Sequence, residues 1–308
     1  DPEDIGRAKR IDDAAGKYIE FCKSTFPAEY SLKGTKVVLD CANGASYHIA
    51  PDIYEELGAD VTVIHNRPNG FNINDNCGSQ FTKDLCSKVK EVGADIGLAF
   101  DGDADRLIAV DENGVEIDGD HVIAICAKQM LDNGTLTNKQ VIVTPMSNLG
   151  LRICFDELGI EWKDAGVGDR LVLEMMKREG AILGGEQSGH VIFLNKHTTG
   201  DGIVTSLQLI SAIKQSGKPL SELAKLFETA PQKLVNIDVK EKPELDTLPE
   251  VSAAIKAAEE ELGTKGRVLV RYSGTQPMCR VMVEATTMEI TDRITNSIAD
   301  LIRKTIGK

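Results

Sequence analysis

Apolar positions recur along the chain in two rhythms, one helical and one of short continuous runs. Ile5, Ala8, Ile11, Ala15 and Ile19 share one stripe, which predicts a helix over 1–23. The run KVVLDC at 36–41 has the pattern of a strand covered on both faces. Residues 45–57 then read as helix, 61–65 as strand, 83–92 as helix, 96–100 as strand and 107–110 as a fourth strand. Between the last of these and the next element, Glu112-Asn113-Gly114 reads as a turn.

A second round begins near Asp118, with helix over 121–131, strand over 140–144, and helices over 148–158 and 167–178. A strand over 181–183 and a long helix over 202–215 complete it. The last part changes character: strand at 234–239, an acidic loop at 241–249, helix at 251–262, strands at 267–272 and 279–285, helix at 292–303. Strands alternating with helices at this spacing predict layered α/β structure. The expected fold class is two successive mixed-sheet α/β domains followed by a small α+β C-terminal domain. The expected boundaries are 1–16 for part of a leading helix joined to a missing first domain, then 17–117, 118–232 and 233–308. The two α/β rounds have similar size but no clear residue-level self-similarity.

A length of 308 residues suits such a division. Hydrophobic residues make up 42% and charged residues 27%, the balance of a globular protein. No apolar run reaches the roughly 18 to 20 residues of a membrane span, and the polar opening Asp1–Arg10 is no secretory signal. Seven cysteines without C-x-x-C spacing read as reduced thiols, and a cytoplasmic location is expected. The net charge of −13 opposes nucleic-acid binding and repels anions at long range. A phosphate ligand would therefore need local arginines or a metal. The sequence leaves a homodimer open.

Asp101-Gly102-Asp103-Ala104-Asp105-Arg106 follows an apolar strand. Alternating carboxylates fall on one side of an extended loop. Three hard oxygens without nearby His or Cys suit one Mg²⁺ ion. An EF-hand loop is the nearest mimic, with Glu112 at its twelfth position. Arg106 stands where that loop requires Gly, and a strand precedes where a helix should. A haloacid-dehalogenase-type hydrolase with Asp101 as nucleophile, and a solvated acidic turn, are further readings. Asp111, Asp118 and Asp120 read as turn and N-cap residues.

Gly184-Gly185-Glu186-Gln187-Ser188-Gly189-His190 allows a tight turn, and Glu186 and Ser188 suit paired sugar hydroxyls. A structural turn with a satisfied His190 is the plainer reading. Arg271-Tyr272-Ser273-Gly274-Thr275-Gln276-Pro277, with Arg280 beyond it, joins two strands. Hydroxyls, backbone N–H groups and two guanidiniums there suit a phosphate, although an ordinary hairpin fits as well. Val167-Gly168-Asp169-Arg170 opens a helix, and Arg170 reads equally as an anion contact or a surface residue.

Taken together, D-G-D-A-D-R, G-E-Q-S-G-H and R-Y-S-G-T-Q-P resemble the metal, sugar and phosphate loops of the α-D-phosphohexomutase family. The resemblance extends through Asp40-Cys41-Ala42-Asn43-Gly44-Ala45, Asn72-Ile73-Asn74, Cys77-Gly78-Ser79, Met146-Ser147-Asn148-Leu149-Gly150 and Thr199-Gly200-Asp201-Gly202. These segments are similar to the branch that acts on glucosamine phosphates, and Gln187 leans the same way. The resemblance implies phosphoryl transfer between O6 and O1 of a hexosamine phosphate, through a phosphoserine and a sugar 1,6-bisphosphate. Asp101, Asp103 and Asp105 would then bind Mg²⁺, and Arg106 would contact the phosphoserine or substrate phosphate. Glu186 and Ser188 would hold sugar hydroxyls, with His190 lining the pocket and assisting proton transfer. Arg271, Ser273, Gly274, Thr275 and Arg280 would grip the phosphate that is not reacting.

The family has four domains, and this chain resembles the second to fourth. No serine here matches the phosphorylated one; Ser147 belongs to the third-domain pattern. The fragment alone is therefore expected to be inactive. The alternatives are a mannose- or glucose-phosphate specificity within the same family, or a non-catalytic fragment that binds metal and sugar phosphate. Two departures stand out: Gln276 where the family has Glu, and Gln80-Phe81 after Ser79 where it has Thr-His-Pro.

Overall fold

A computed structural model of the chain describes residue 6, residues 12–274 and residues 276–308. The chain forms two compact units, residues 1–147 with 154–227, and residues 148–153 with 228–308.

The first unit opens with α1 (Ala14–Thr25); the rest of the helix expected over 1–23 lies outside the described residues, Gly6 apart. Then come β1 (Lys36–Asp40), α2 (Ile49–Glu56), β2 (Asp60–Ile64), α3 (Lys83–Val92), β3 (Ile96–Phe100), β4 (Leu107–Val110) and β5 (Glu116–Ile117). The sheet order is β2-β1-β3-β4-β5, with β1 parallel to β2 and β3, and β4 antiparallel to β3 and β5. All five residues of β3 are buried, as its unbroken apolar run requires at the centre of a covered sheet. Val38, Ala99 and Val110 pack with Leu85 and Val89 of α3. The helix expected over 45–57 is broken: a 3₁₀ turn at Ala45–Tyr47 precedes α2. Pro51 has no N–H to bond back to residue 47, but fits the first turn of a helix restarting at Ile49.

The chain continues with α4 (Gly119–Asp132), β6 (Gln140–Val143), α5 (Leu149–Leu158), β7 (Glu161–Asp164), α6 (Asp169–Glu179), β8 (Leu183–Gly185), β9 (Val191–Phe193), α7 (Gly202–Ser216) and α8 (Leu220–Leu223). The order here is β7-β6-β8-β9, with β6 parallel to β7 and β8, and β9 antiparallel to β8. This repeats the connectivity of β2-β1-β3-β4. The hairpin between β3 and β4 therefore corresponds to the hairpin between β8 and β9. Helix α7 packs against β3 and β4 and against β9. Every residue from Gly202 to Ala212 is buried, and the polar Thr205, Ser206 and Gln208 among them are satisfied by the carbonyls of Val191, Ile203 and Thr25.

The second unit contains β10 (Gln232–Asp238), α9 (Pro249–Leu262), β11 (Arg267–Tyr272), β12 (Met278–Glu284) and α10 (Met288–Ile306). Its antiparallel sheet runs β10-β12-β11. Ile294, Ile298, Ile302 and Ile306 recur every fourth residue of α10 and are all buried in one core with Val281 and Val283. Each such burial contributes about 1.5–3 kcal/mol. Among the described residues no helix is long and apolar enough to cross a membrane. Two α/β sheets followed by an α+β unit is the fold class the sequence predicts.

Candidate active site

The β3–β4 hairpin gathers charge. Carboxylate oxygens of Asp101, Asp103 and Asp105 all lie within 4.8 Å of one another. Asp101 is buried, Asp105 half-buried and Asp103 exposed. Ala104 takes a left-handed φ of 63°, which curls the loop on itself, and its carbonyl accepts the Gly202 N–H at 2.9 Å. Burial first, and then the Asp105 charge, push the Asp101 carboxyl up to about 6. Three carboxylates this close repel one another unless a positive charge stands among them. Among the described residues, the arginine or lysine alongside is Arg106, whose Nε is 3.7 Å from Asp101 and 3.8 Å from Asp105. Both distances exceed a hydrogen bond, and that buried Nε has no hydrogen-bond partner among the described residues.

The corresponding β8–β9 hairpin is shorter. The Glu186 N–H donates to the His190 carbonyl at 2.9 Å, and the Gly189 N–H to the Glu186 carbonyl at 3.0 Å. Glu186 Oε1 accepts the Gly168 N–H at 3.1 Å, at the start of α6. Gln187 donates to Asp118 at 3.0 Å. Asp118 caps α4 through the His121 N–H and also bonds the His121 ring at 2.7 Å. Burial resists ionisation of Asp118, yet the His121 and Gln187 contacts outweigh it and hold the carboxyl below its ordinary range. Asp111 accepts from Asn113 and Val115 within its own turn. The N-cap reading of Asp118 and the turn reading of Asp111 hold.

The two hairpins meet. Arg106 and His190 form an antiparallel bridge, and the Leu107 N–H donates to the Gly189 carbonyl at 3.0 Å. His190 is buried, and its Nδ1 is 2.9 Å from Asp105 Oδ2. Gly200 lies so close to the His190 ring that any Cβ there would collide with it. A cavity of about 520 Å³ opens beside the bridge, lined by Arg106, Asp118, Glu186, Gln187 and Ser188. That volume falls in the range of small-ligand sites. Glu116 and Thr144 also line it, and the sequence reading missed them because nothing local marks them; Met146, which lines it too, opens the 146–150 segment that carries part of the resemblance. Arg170 is exposed and pairs with Glu174 on its own helix, which leaves it a surface residue.

In the second unit, Arg271 and Arg280 are direct cross-strand partners. Like charges so placed repel. Among the described residues neither guanidinium has a carboxylate within 4 Å, and the buried Arg280 Nε has no hydrogen-bond partner. Ser273 is buried, accepts from the Gln276 N–H at 3.3 Å, and Gly274 is exposed beside it. Thr275 lies outside the described residues.

Residues 16–114, 118–230 and 234–301 match, in that order, the models of the phosphoglucomutase/phosphomannomutase family for alpha/beta/alpha domain II, alpha/beta/alpha domain III and the C-terminal domain. The phosphoglucosamine mutase of Syntrophobacter fumaroxidans is 59% identical over 303 residues, covering 98% of this chain and 68% of that protein. The chain belongs to the phosphoglucosamine mutase family. A phosphoglucosamine mutase of Syntrophus aciditrophicus is 57% identical over 304 residues, covering 99% of this chain and 68% of that protein. Enzymes of this family are intramolecular phosphotransferases of the isomerase class. The fold is shared with a solved N-acetylphosphoglucosamine mutase of Aspergillus fumigatus, described in complex with GlcNAc-6P and magnesium. It has a TM-score of 0.78 at 19% identity over 94% of this chain and 70% of that one.

Proposed function

We propose that this chain carries the cation, sugar and remote-phosphate loops of a phosphoglucosamine mutase, interconverting glucosamine 6-phosphate and glucosamine 1-phosphate. The observation that carries the reading is the bridge between Arg106 and His190, which places three clustered carboxylates beside a cavity lined by Glu186 and Ser188. Residues 17–117 supply the cation loop, 118–232 the sugar loop and 233–308 the phosphate loop.

Asp101, Asp103 and Asp105 fit one hard divalent cation of the Mg²⁺ type: only oxygens converge, and Asp101 resists ionising without a counter-charge. Such an ion neutralises charge on a phosphoryl group in transfer. Arg106 is near Asp101 and Asp105 but hydrogen-bonded to neither through Nε, and it offers its guanidinium to the same phosphoryl oxygens. His190 holds Asp105 in place through Nδ1, while its Nε2 is buried against Gly200 without a partner among the described residues and His190 is not among the residues that line the cavity, which favours a positioning role over direct proton transfer. Glu186 spends one oxygen on Gly168, and its second carries no hydrogen bond among the described residues. That oxygen and the Ser188 hydroxyl suit neighbouring sugar hydroxyls. Arg271 and Arg280, with Ser273, Gly274 and Thr275, would hold the phosphate not in transfer. Gripping either phosphate equally lets a sugar 1,6-bisphosphate be used in both orientations, with positioning supplying most of the acceleration. The phosphoryl donor on this reading is a phosphoserine, and none of the serines described above is assigned to it.

Phosphorus NMR of the Mg²⁺-loaded full-length protein that carries the phosphoserine, with sugar 1,6-bisphosphate as activator, tests the proposal. Glucosamine 6-phosphate should be converted at least tenfold more efficiently than glucose or mannose 6-phosphate. The reverse preference would move the reading to a phosphomannomutase or phosphoglucomutase.

A further inference from the structure

A second group of metal-ligating side chains, of different chemistry, lies at the corner of the same sheet. Asp40 ends β1, His65 directly follows β2, and Cys77 precedes a 3₁₀ turn at Gly78–Gln80. One ligand atom of each lies within 4.8 Å of the other two. Asp40 and Cys77 are fully buried, and the His65 side chain is a quarter exposed. We propose that Asp40, His65 and Cys77 form a binding site for a borderline divalent cation of the zinc type, distinct from the acidic loop.

The donor atoms are already set. His65 Nδ1 is 3.0 Å from Asp40 Oδ2, yet it is buried without an aligned hydrogen bond. Its other nitrogen, Nε2, lies 3.4 Å from Asp84 Oδ2. A metal-ligating imidazole characteristically gives its outer N–H to a carboxylate, which fixes the tautomer and aims the free lone pair at the ion. With the ring proton on Nε2, facing Asp84, Nδ1 would present a lone pair to a carboxylate and a sulfur, an arrangement that a shared cation resolves. Asp40 is held by the Ala42 N–H on Oδ1 at 2.9 Å and the Gly78 N–H on Oδ2 at 3.0 Å. Asn43 Nδ2 approaches Cys77 Sγ at 3.7 Å, a donor that stabilises a thiolate. One sulfur, one imidazole nitrogen and one carboxylate oxygen match the zinc donor set and disfavour Mg²⁺. Three protein ligands leave the fourth tetrahedral position to water.

Binding involves no redox change. The Cys77 thiol releases its proton to solvent, and sulfur, nitrogen and oxygen each donate a lone pair to the ion. The site also supports the acidic loop. The Ala45 N–H donates to the Gly102 carbonyl at 2.8 Å, and Gly78 sits so close to the Phe100 carbonyl that a Cβ would collide with it. A loaded site would stiffen the ledge on which Asp101–Asp105 rest.

Cobalt(II) titration of the chain in saturating Mg²⁺ tests this, because only a thiolate ligand gives a sulfur-to-cobalt charge-transfer band. The band should saturate at one equivalent per chain and persist in Asp103→Asn. It should vanish in Cys77→Ser and in His65→Gln, and half-saturation should move about 10- to 100-fold upward in Asp84→Asn. Circular dichroism checks that each variant folds; His65→Gln, at a partly exposed position, decides the matter where Cys77→Ser does not fold. Absence of the band, or its persistence in His65→Gln, would overturn the proposal and leave Asp40 and His65 as a simple ion pair.

Discussion

Arg106 and His190 are bridged through their backbones, so the residues that close two corresponding hairpins are held face to face. The side chains then reach in opposite directions of chemistry. Arg106 lines the cavity, and His190 turns its Nδ1 to Asp105.

Replacing His190 by Ala should free Asp105 and weaken Mg²⁺ binding about 10- to 100-fold, the usual cost of losing a group that orients a ligand. His190→Gln, which keeps a polar partner for Asp105, should recover part of that affinity. Isothermal titration with Mg²⁺ measures both. Equal, wild-type affinity in the two variants would separate His190 from the cation seat.

Asp101 gives a pH signature. Its carboxyl is raised from 3.8 to about 6, with burial the first cause. A raised carboxyl means that stability present below about pH 4 is lost as pH rises through about 6. In the absence of divalent cation the protein should therefore lose stability across that window. Asp101→Asn should flatten the profile and be more stable at neutral pH by about 1 kcal/mol, a figure discounted for partial solvent access. Mg²⁺ should flatten the profile of the parent and leave the variant unchanged. Urea titrations at several pH values provide the comparison.

Removing one guanidinium from the Arg271–Arg280 pair relieves a repulsion. Arg280→Gln should leave the stability of the chain unchanged or raise it by about 0.2–1 kcal/mol. Binding of glucosamine 6-phosphate should nonetheless fall, by about 1.5–3 kcal/mol if a charge-assisted hydrogen bond is lost. Thermal unfolding and titration, run in parallel, distinguish this from a structural role, in which both would fall together.

Gly200→Ala places a methyl group against the His190 ring. The expected cost is about 1–3 kcal/mol, as for overpacking elsewhere, with the ring displaced from Asp105. A melting temperature equal to the parent's, with unchanged Mg²⁺ affinity, would show that the ring relocates without consequence.

Much of this was legible in the sequence, for reasons that differ from place to place. Strands β4 and β11 coincide with their predicted ranges, because Leu107–Val110 and Arg267–Tyr272 are compact runs between turn residues. Strand β7 escaped because Glu161–Asp164 is a polar edge strand, paired only to β6 and half-exposed. Strand β9 is three residues long, too short to show a period. The acidic loop was readable because its ligand atoms lie on alternate residues. Asp40, His65 and Cys77 belong to three separate segments, two of which meet through the register Asp40↔Ile64 of β1 and β2. Only the folded sheet brings them together. The correspondence of the two hairpins was likewise invisible, since their residues differ and only strand order equates them.

That shared strand order puts a bend at the same corner of each sheet. One bend, Asp101–Arg106, presents charge, and the other, Glu186–His190, presents hydrogen-bonding groups. Because the Arg106–His190 bridge joins them backbone to backbone, a substitution that shifts one bend is transmitted to the other, and the two halves of the site move as one part.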